Sequence, residues 1–175
     1  MCHDNVKFQY WLSSEYRVNP THTTRHSAIF RLDFSGMPPG DMWQVQLCQY
    51  SLQGSGANTD VDDKPIKDSS GADAPVGIIS ATGFSMPYSV ETATGGNSKL
   101  SSNLSRIDLN PYMFGKEDCC INPNSAMPLI TVSRPTTGDY QVNLRSGVTG
   151  LPVVGSTGEA DIQPWVMCLE FTLVK

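Results

Sequence analysis

Apolar and polar residues alternate along the chain with a period of two, the spacing of a β-strand that buries one face. Near the N-terminus, Phe8, Tyr10 and Leu12 alternate with Gln9 and Trp11. Helical spacing fails because 15 Gly and 12 Pro interrupt almost every long window. The pattern predicts strands near residues 6–12, 30–34, 43–47, 75–84, 104–109, 130–132, 140–144 and 165–174.

The final predicted strand carries apolar groups on both faces. Trp165, Met167 and Leu169 share one face, while Val166 and Cys168 lie on the other. A strand of this kind belongs in the middle of a sheet, against the core on one side and beneath a neighbouring subunit on the other.

Alternation also predicts the core. The side chains expected to face inward come from the second, third, seventh and eighth of these strands. They are Phe30, Leu32, Trp43, Val45, Leu47, Val142, Leu144, Trp165, Met167, Leu169 and Phe171.

Two long polar connections, residues 53–74 and 149–161, contain few large apolar side chains. Ordering a residue costs about 1–2 kcal/mol, which burial must offset. The sequence therefore predicts long loops that adjacent subunits order.

About eight strands with unequal connections predict an all-β fold of one domain, residues 1–175: an eight-stranded antiparallel jelly-roll sandwich with long loops. An immunoglobulin-like sandwich is the alternative. That fold would place a Cys-Trp-Cys pattern on shorter connections, and Cys48 and Cys168 lie too far apart in sequence for it.

Composition changes the picture mainly at the surface. Charged residues make up only 17% of the chain, against about 25% in an ordinary soluble domain. A neutral polar surface suits a protein that sits among neighbours. The net charge of −5 and the scattered basic residues argue against nucleic-acid binding.

The termini and cysteines bear on location. No stretch approaches the roughly 20 apolar residues of a membrane helix, and the first residues lack the pattern of a secretory signal. The five cysteines show no framework spacing. We expect no membrane span and reduced thiols in a reducing compartment.

The histidines offer a weak metal pattern. His22 and His26 would face one metal only on a helix, which the β-branched residues around them disfavour. With His3 they are the only histidines, and their grouping does not match ligands spread over a cupin barrel. We expect loop histidines without a metal.

Two other groups are also weak. Asp60 and Asp62 begin like a calcium loop, but Asp63 stands where the turn glycine is required. Cys119 and Cys120 are adjacent and lack a second pair that could complete a zinc site. We expect a solvated acidic loop and a partly buried thiol pair in a loop, whose redox state stays open.

The layout resembles the small single jelly-roll capsid proteins of large icosahedral double-stranded DNA viruses. These are the minor capsid and vertex (penton) proteins that accompany a double jelly-roll major capsid protein. The resemblance covers the whole chain as a layout and contains no diagnostic motif. It rests on the opening strand at 6–12, the strand pair at 28–34 and 43–47, and an ending in which residues 140–144 precede a tryptophan-led strand at 163–171.

This resemblance implies a structural capsid protein of the virion, assembled in the host cell cytoplasm. It implies contacts with neighbouring capsid subunits, including a major capsid protein, and a homo-oligomer. It implies no enzymatic activity, with no catalytic residues, cofactor or metal. A pentamer at a vertex, a trimer and a single copy beneath the shell all stay open.

Two other functions remain. A carbohydrate-binding jelly roll would stack sugars on an exposed Trp11 or Tyr16. A cupin-like enzyme is the least favoured, because its metal site would need about three histidines and a carboxylate.

Overall fold

A computed structural model of the chain describes residues 6–52, 66–82, 90–92, 98–100, 103–109, 119–121, 130–155 and 161–174. These residues form strands, turns and one short 3₁₀ turn, Ser14–Tyr16, with no α-helix among them. The predicted all-β class is confirmed.

Thirteen strands lie within the described residues. They are β1 (Lys7–Ser13), β2 (Ser27–Leu32), β3 (Met42–Leu52), β4 (Lys67–Asp68), β5 (Val76–Thr82), β6 (Val90–Thr92), β7 (Ser98–Leu100), β8 (Asn103–Asp108), β9 (Cys119–Ile121), β10 (Ile130–Ser133), β11 (Gly138–Ser146), β12 (Val153–Val154) and β13 (Trp165–Leu173).

One sheet has the order β1, β13, β3, β10, with β9 also paired to β3. β10 pairs with the first part of β3, from Met42 to Val45, and β9 with its last part, from Tyr50 to Leu52. β9 and β10 therefore share one edge position. β13 lies between β1 and β3, as its two apolar faces predicted.

The second sheet has the order β2, β11, β5, β8. Every strand pair in both sheets is antiparallel. Apart from β5 and β8, neighbours within each sheet come from distant parts of the chain, so both sheets are completed only when these parts meet.

The core lies between the two sheets. Phe30 on β2 packs its ring against Trp165 on β13, with centroids 5.8 Å apart, and Phe34 contacts Phe171 at 5.3 Å. All eleven side chains predicted to face inward are buried in one cluster. The indole N–H of Trp165 donates to the carbonyl of Arg25 at 2.8 Å, so this buried polar group is satisfied.

The two connections predicted as long loops contain short strands in their described parts. β4, from the first connection, pairs with β12, from the second. Val153 and Ala74 are fully buried, and Ile66 packs against the core. Each segment supplies backbone hydrogen-bonding partners for the other. A few buried apolar side chains are therefore enough to order both.

Other short elements were also missed. Cys119 and Cys120 belong to β9, paired with Leu52 and Ser51, rather than to a loop. β6 pairs with β7, and the sequence predicted neither of these strands.

Candidate interaction surfaces

An open groove of about 490 Å³ runs along the side of the sandwich where β1 and β2 are edge strands. Inward residues of both strands form its floor, including Leu12 and Phe30. Trp11 and Tyr16 line it with exposed aromatic rings. The two residues that the sequence offered as alternative sugar platforms therefore lie in one groove.

Local structure explains why these rings are exposed. Phe8, Tyr10 and Leu12 turn inward, so alternation turns Trp11 outward, where 58% of it is exposed. Tyr16 follows in the 3₁₀ turn, which the Ser13 hydroxyl caps by accepting from the Glu15 N–H at 3.4 Å. Tyr16 is 87% exposed. Single exposed aromatics are common, but two in one groove make this groove a candidate interaction surface.

The β2 side of the groove is polar. Arg31 donates to the Asp139 carboxylate from Nε at 2.8 Å and Nη2 at 3.1 Å. The Asp33 carboxylate accepts from the Ser35 N–H at 2.9 Å and the Thr137 hydroxyl at 3.0 Å. These bonds lower the pKa of Asp33, so it is an anion at neutral pH.

The outer face of β13 is the second candidate surface. Glu170 is its one charged residue, and Lys7 of β1 donates to it at 2.7 Å. This hydrogen bond and the attraction of the two charges lower the pKa of Glu170 and raise that of Lys7. The pair neutralises itself within the chain, so this face presents no uncompensated charge from β13 to a neighbour.

Cys48 and Cys168 lie side by side on that face. Cys48 is the extra residue of a bulge in β3, where the register against β13 shifts between Cys168 and Leu169. Both cysteines are free thiols. Burial, followed by the nearby Cys48 and Glu170, raises the pKa of Cys168 to about 11. Cys168 is therefore a protonated thiol at neutral pH and a poor nucleophile.

His26 belongs to a polar cluster at one end of the sandwich. Its Nδ1 lies 3.3 Å from Asp161 Oδ1. The Asp161 carboxylate also accepts from the backbone N–H of Arg25 at 2.7 Å and of Ile162 at 2.9 Å. Burial alone would raise the pKa of Asp161, but these hydrogen bonds outweigh it and lower the pKa. The cluster ties the start of β2 to the segment before β13.

Asp68 joins the two long connections. Its carboxylate accepts from the N–H and hydroxyl of Ser70 at 2.9 and 2.6 Å, and from the Thr149 hydroxyl. The bonds from Ser70 and Thr149 lower the pKa of Asp68 to about 2. A buried carboxylate with this many donors is a structural clamp.

The remaining sequence candidates do not form a site in the described part of the chain. His22 is exposed in a turn, and His26 lies beside the Asp161 carboxylate. His3, Asp60, Asp62 and Asp63 lie outside the described residues. No group of three or more His, Cys, Asp or Glu within the described ranges could hold a metal ion.

Sequence reasoning missed the polar side of the groove. Arg31 and Asp33 occupy the outward positions between Phe30, Leu32 and Phe34, so the alternation predicts that both are exposed. The sequence does not predict that they line the same groove as Trp11, because that depends on which strands form the two edges. Apart from its position near Ser70 and Gly71, nothing in the sequence indicates that Asp68 joins the two long connections.

A scan against protein-family models finds no matching family, and a search of curated proteins finds no similar sequence.

None of the described residues belongs to a helix long and apolar enough to cross a membrane.

Proposed function

We propose that the chain is an eight-stranded jelly roll that serves as a structural subunit, a minor capsid or vertex protein, in the icosahedral shell of a large DNA virus. Its work is done by contacts with neighbouring subunits, including a major capsid protein. It acts without catalysis, in the virion and during assembly in the host cell cytoplasm.

The order of strand pairing supports the proposed jelly-roll fold. With β9 and β10 taken as one interrupted strand, the eight main strands pair first with last, second with seventh, third with sixth and fourth with fifth. This is the pairing order expected of a long antiparallel hairpin that is rolled into two sheets, as in a jelly roll. The further pairs β13 with β3 and β11 with β5 close the roll.

The surface supports the structural role. The outer face of β13 is neutral overall, and the groove side carries large exposed aromatics. Charged residues are depleted and Trp, Tyr and Arg enriched at the centres of protein interfaces. Jelly rolls also serve as lectins and enzymes, so the role rests on this surface and on the layout.

Labelling of native particles tests the proposal. Antibodies against the chain should decorate icosahedral particles purified from cells that make it, and an image of those particles should place the chain at defined shell positions. Preimmune serum is the control. A chain that stays in the particle-free fraction, with no label on any particle, would overturn the shell role.

A carbohydrate-binding module is the second candidate, favoured by the joint placement of Trp11 and Tyr16 beside the Asp33 carboxylate. Aromatic rings would stack on sugar faces while the carboxylate accepts from hydroxyl groups. A glycan array separates the two functions. Binding that Trp11→Ala abolishes and Val148→Ala preserves would favour this candidate, since Val148 is exposed elsewhere.

A further inference from the structure

Among the described strands, none pairs with the outer edge of β1, so this edge presents a row of backbone hydrogen-bonding groups. The Leu173 N–H donates to the Val6 carbonyl at 3.1 Å. Because paired residues alternate in an antiparallel ladder, even-numbered β1 residues face β13. The N–H and C=O groups of Lys7, Gln9, Trp11 and Ser13 therefore point away from the sheet.

The neighbouring edge, β2, is covered by its own chain. The Leu144 N–H donates to the His26 carbonyl, so the odd-numbered residues of β2 face its open edge. The Ile29 carbonyl there accepts from the Val18 N–H at 2.7 Å, and the Asp33 carbonyl accepts from the Tyr10 hydroxyl. These contacts block strand addition along β2.

The other two edges are less suited to pairing. The far edge of the first sheet is divided between β10, with four residues, and β9, with three. β8 meets β5 with a register shift between Ile79 and Ser80. β1 has seven residues in one continuous register and no proline. It is the longest regular free edge in the described part of the chain.

We propose that the edge of β1 pairs with the β1 edge of a second copy of this chain, antiparallel about a two-fold axis. A strand partner must itself offer a free edge, and within the described residues β1 is the edge that fits. Pairing of β1 with β1 is self-complementary and closed, so it uses up the edge instead of propagating a fibre.

The charges permit this pairing. Lys7 is the one charged residue of β1, and Glu170 of the same chain neutralises it. With Lys7 opposite the partner's Ser13, the two lysines stand at opposite ends of the paired strands, roughly 20 Å apart. That distance exceeds the screening length of about 8 Å at physiological salt. Trp11 then lies opposite the partner's Gln9 and adds apolar contact.

Gln9 allows a test that spares the fold. Proline at this position removes an N–H that β13 does not use, so Gln9→Pro leaves the ladder within the subunit intact. The two-fold axis repeats the loss in both copies. We expect Gln9→Pro to weaken dimerisation at least about tenfold. Gln9→Ala, which removes the same side chain and keeps the N–H, should change it less than about threefold.

Sedimentation velocity over a range of concentrations measures the dissociation constant. A wild-type chain that stays monomeric, or a Gln9→Pro chain that dimerises as tightly as wild type, would overturn the inference. Equal weakening by Gln9→Ala and Gln9→Pro would also overturn it, because the side chain and not the backbone would then carry the contact.

Amide exchange in the wild type gives a second readout that needs no variant. The amides of Gln9 and Trp11 should exchange fast in dilute solution and slowly in concentrated solution. Those of Tyr10 and Leu12, which bond to β13, should be slow in both. Equal exchange of Gln9 and Tyr10 at every concentration would contradict the pairing.

The inference rests on the proposed function, since it names one contact of a shell subunit. The β1 contact and the shell role can be overturned separately. A monomeric chain that antibodies still find in particles overturns only the β1 contact. A β1-paired dimer that is absent from every particle overturns only the shell role.

Discussion

The burial of individual side chains on the inward face of β13 is the feature that the sequence predicts best. Trp165, Met167 and Leu169 alternate with outward residues over an uninterrupted run, and the structure buries them all. The same alternation put Trp11 outward. It could not find the partners of Asp161, because Arg25 and His26 lie far away in the chain and meet it only after the sheets form.

Leu169 tests the inward assignment. It is fully buried and adjoins Leu47 in the ladder between β13 and β3. Leu169→Ala should lower the free energy of unfolding by about 2–5 kcal/mol, because the truncation leaves a cavity in a packed core. Urea denaturation measures this change. Val166→Ala, on the outer face of the same strand, is the control and should cost under about 1 kcal/mol. A cost below about 1 kcal/mol at Leu169 would show that the face is assigned backwards.

At the scale of elements, length decided which strands the sequence could predict. β3, β11 and β13 have nine or more residues, enough for the two-residue period to stand out. β4 and β12 have two residues each, and a period cannot be seen in two positions. Their pairing follows from tertiary contacts, chiefly the Asp68 clamp, which no local pattern reveals.

The link between these short strands should depend on pH. The folded pKa of Asp68 lies near 2, below its ordinary value of 3.8. Its hydrogen bonds therefore stabilise the fold above the ordinary pKa, and this contribution is lost as the pH falls through about 2. Asp68→Asn should lower the urea midpoint at pH 7, because Asn supplies one acceptor oxygen fewer.

The difference between wild type and Asp68→Asn should shrink as the pH falls from about 4 to about 2. Denaturation curves at a series of pH values measure it. Asp73→Asn is the matched control, since Asp73 lies on the same connection and pairs with Lys67 at the surface. A difference that stays constant down to pH 2 would exclude the carboxylate as its source.

At the scale of the whole molecule, the pairing order could not be read from the sequence. The two-residue period identifies strands and their inward faces but contains nothing about partners. Lys7 pairs with Thr172, 165 residues further along the chain, and Met42 pairs with Ser133, 91 residues further along. The predicted all-β class with antiparallel strands is confirmed, while the placement of β1 and β2 at adjoining edges, where the groove lies, could not be predicted from the sequence.

The final strand should be indispensable for folding, although it stands at the end of the described chain. β13 lies between β1 and β3 in the first sheet, so its removal takes away the strand that pairs with β1, removes the longest pairing of β3 and uncovers the core beneath Trp165 and Phe171. A chain ending at residue 163 should therefore show no cooperative unfolding and no near-ultraviolet circular dichroism.

Co-expression of that chain with residues 164–175 as a separate peptide should restore both signals, because the peptide can add back as the missing central strand. Co-expression with a peptide of the same composition in scrambled order is the control, since it lacks the alternation that fills the core. Cooperative unfolding of the truncated chain alone would mean that β1 and β3 close on each other without β13, contrary to the pairing order described above.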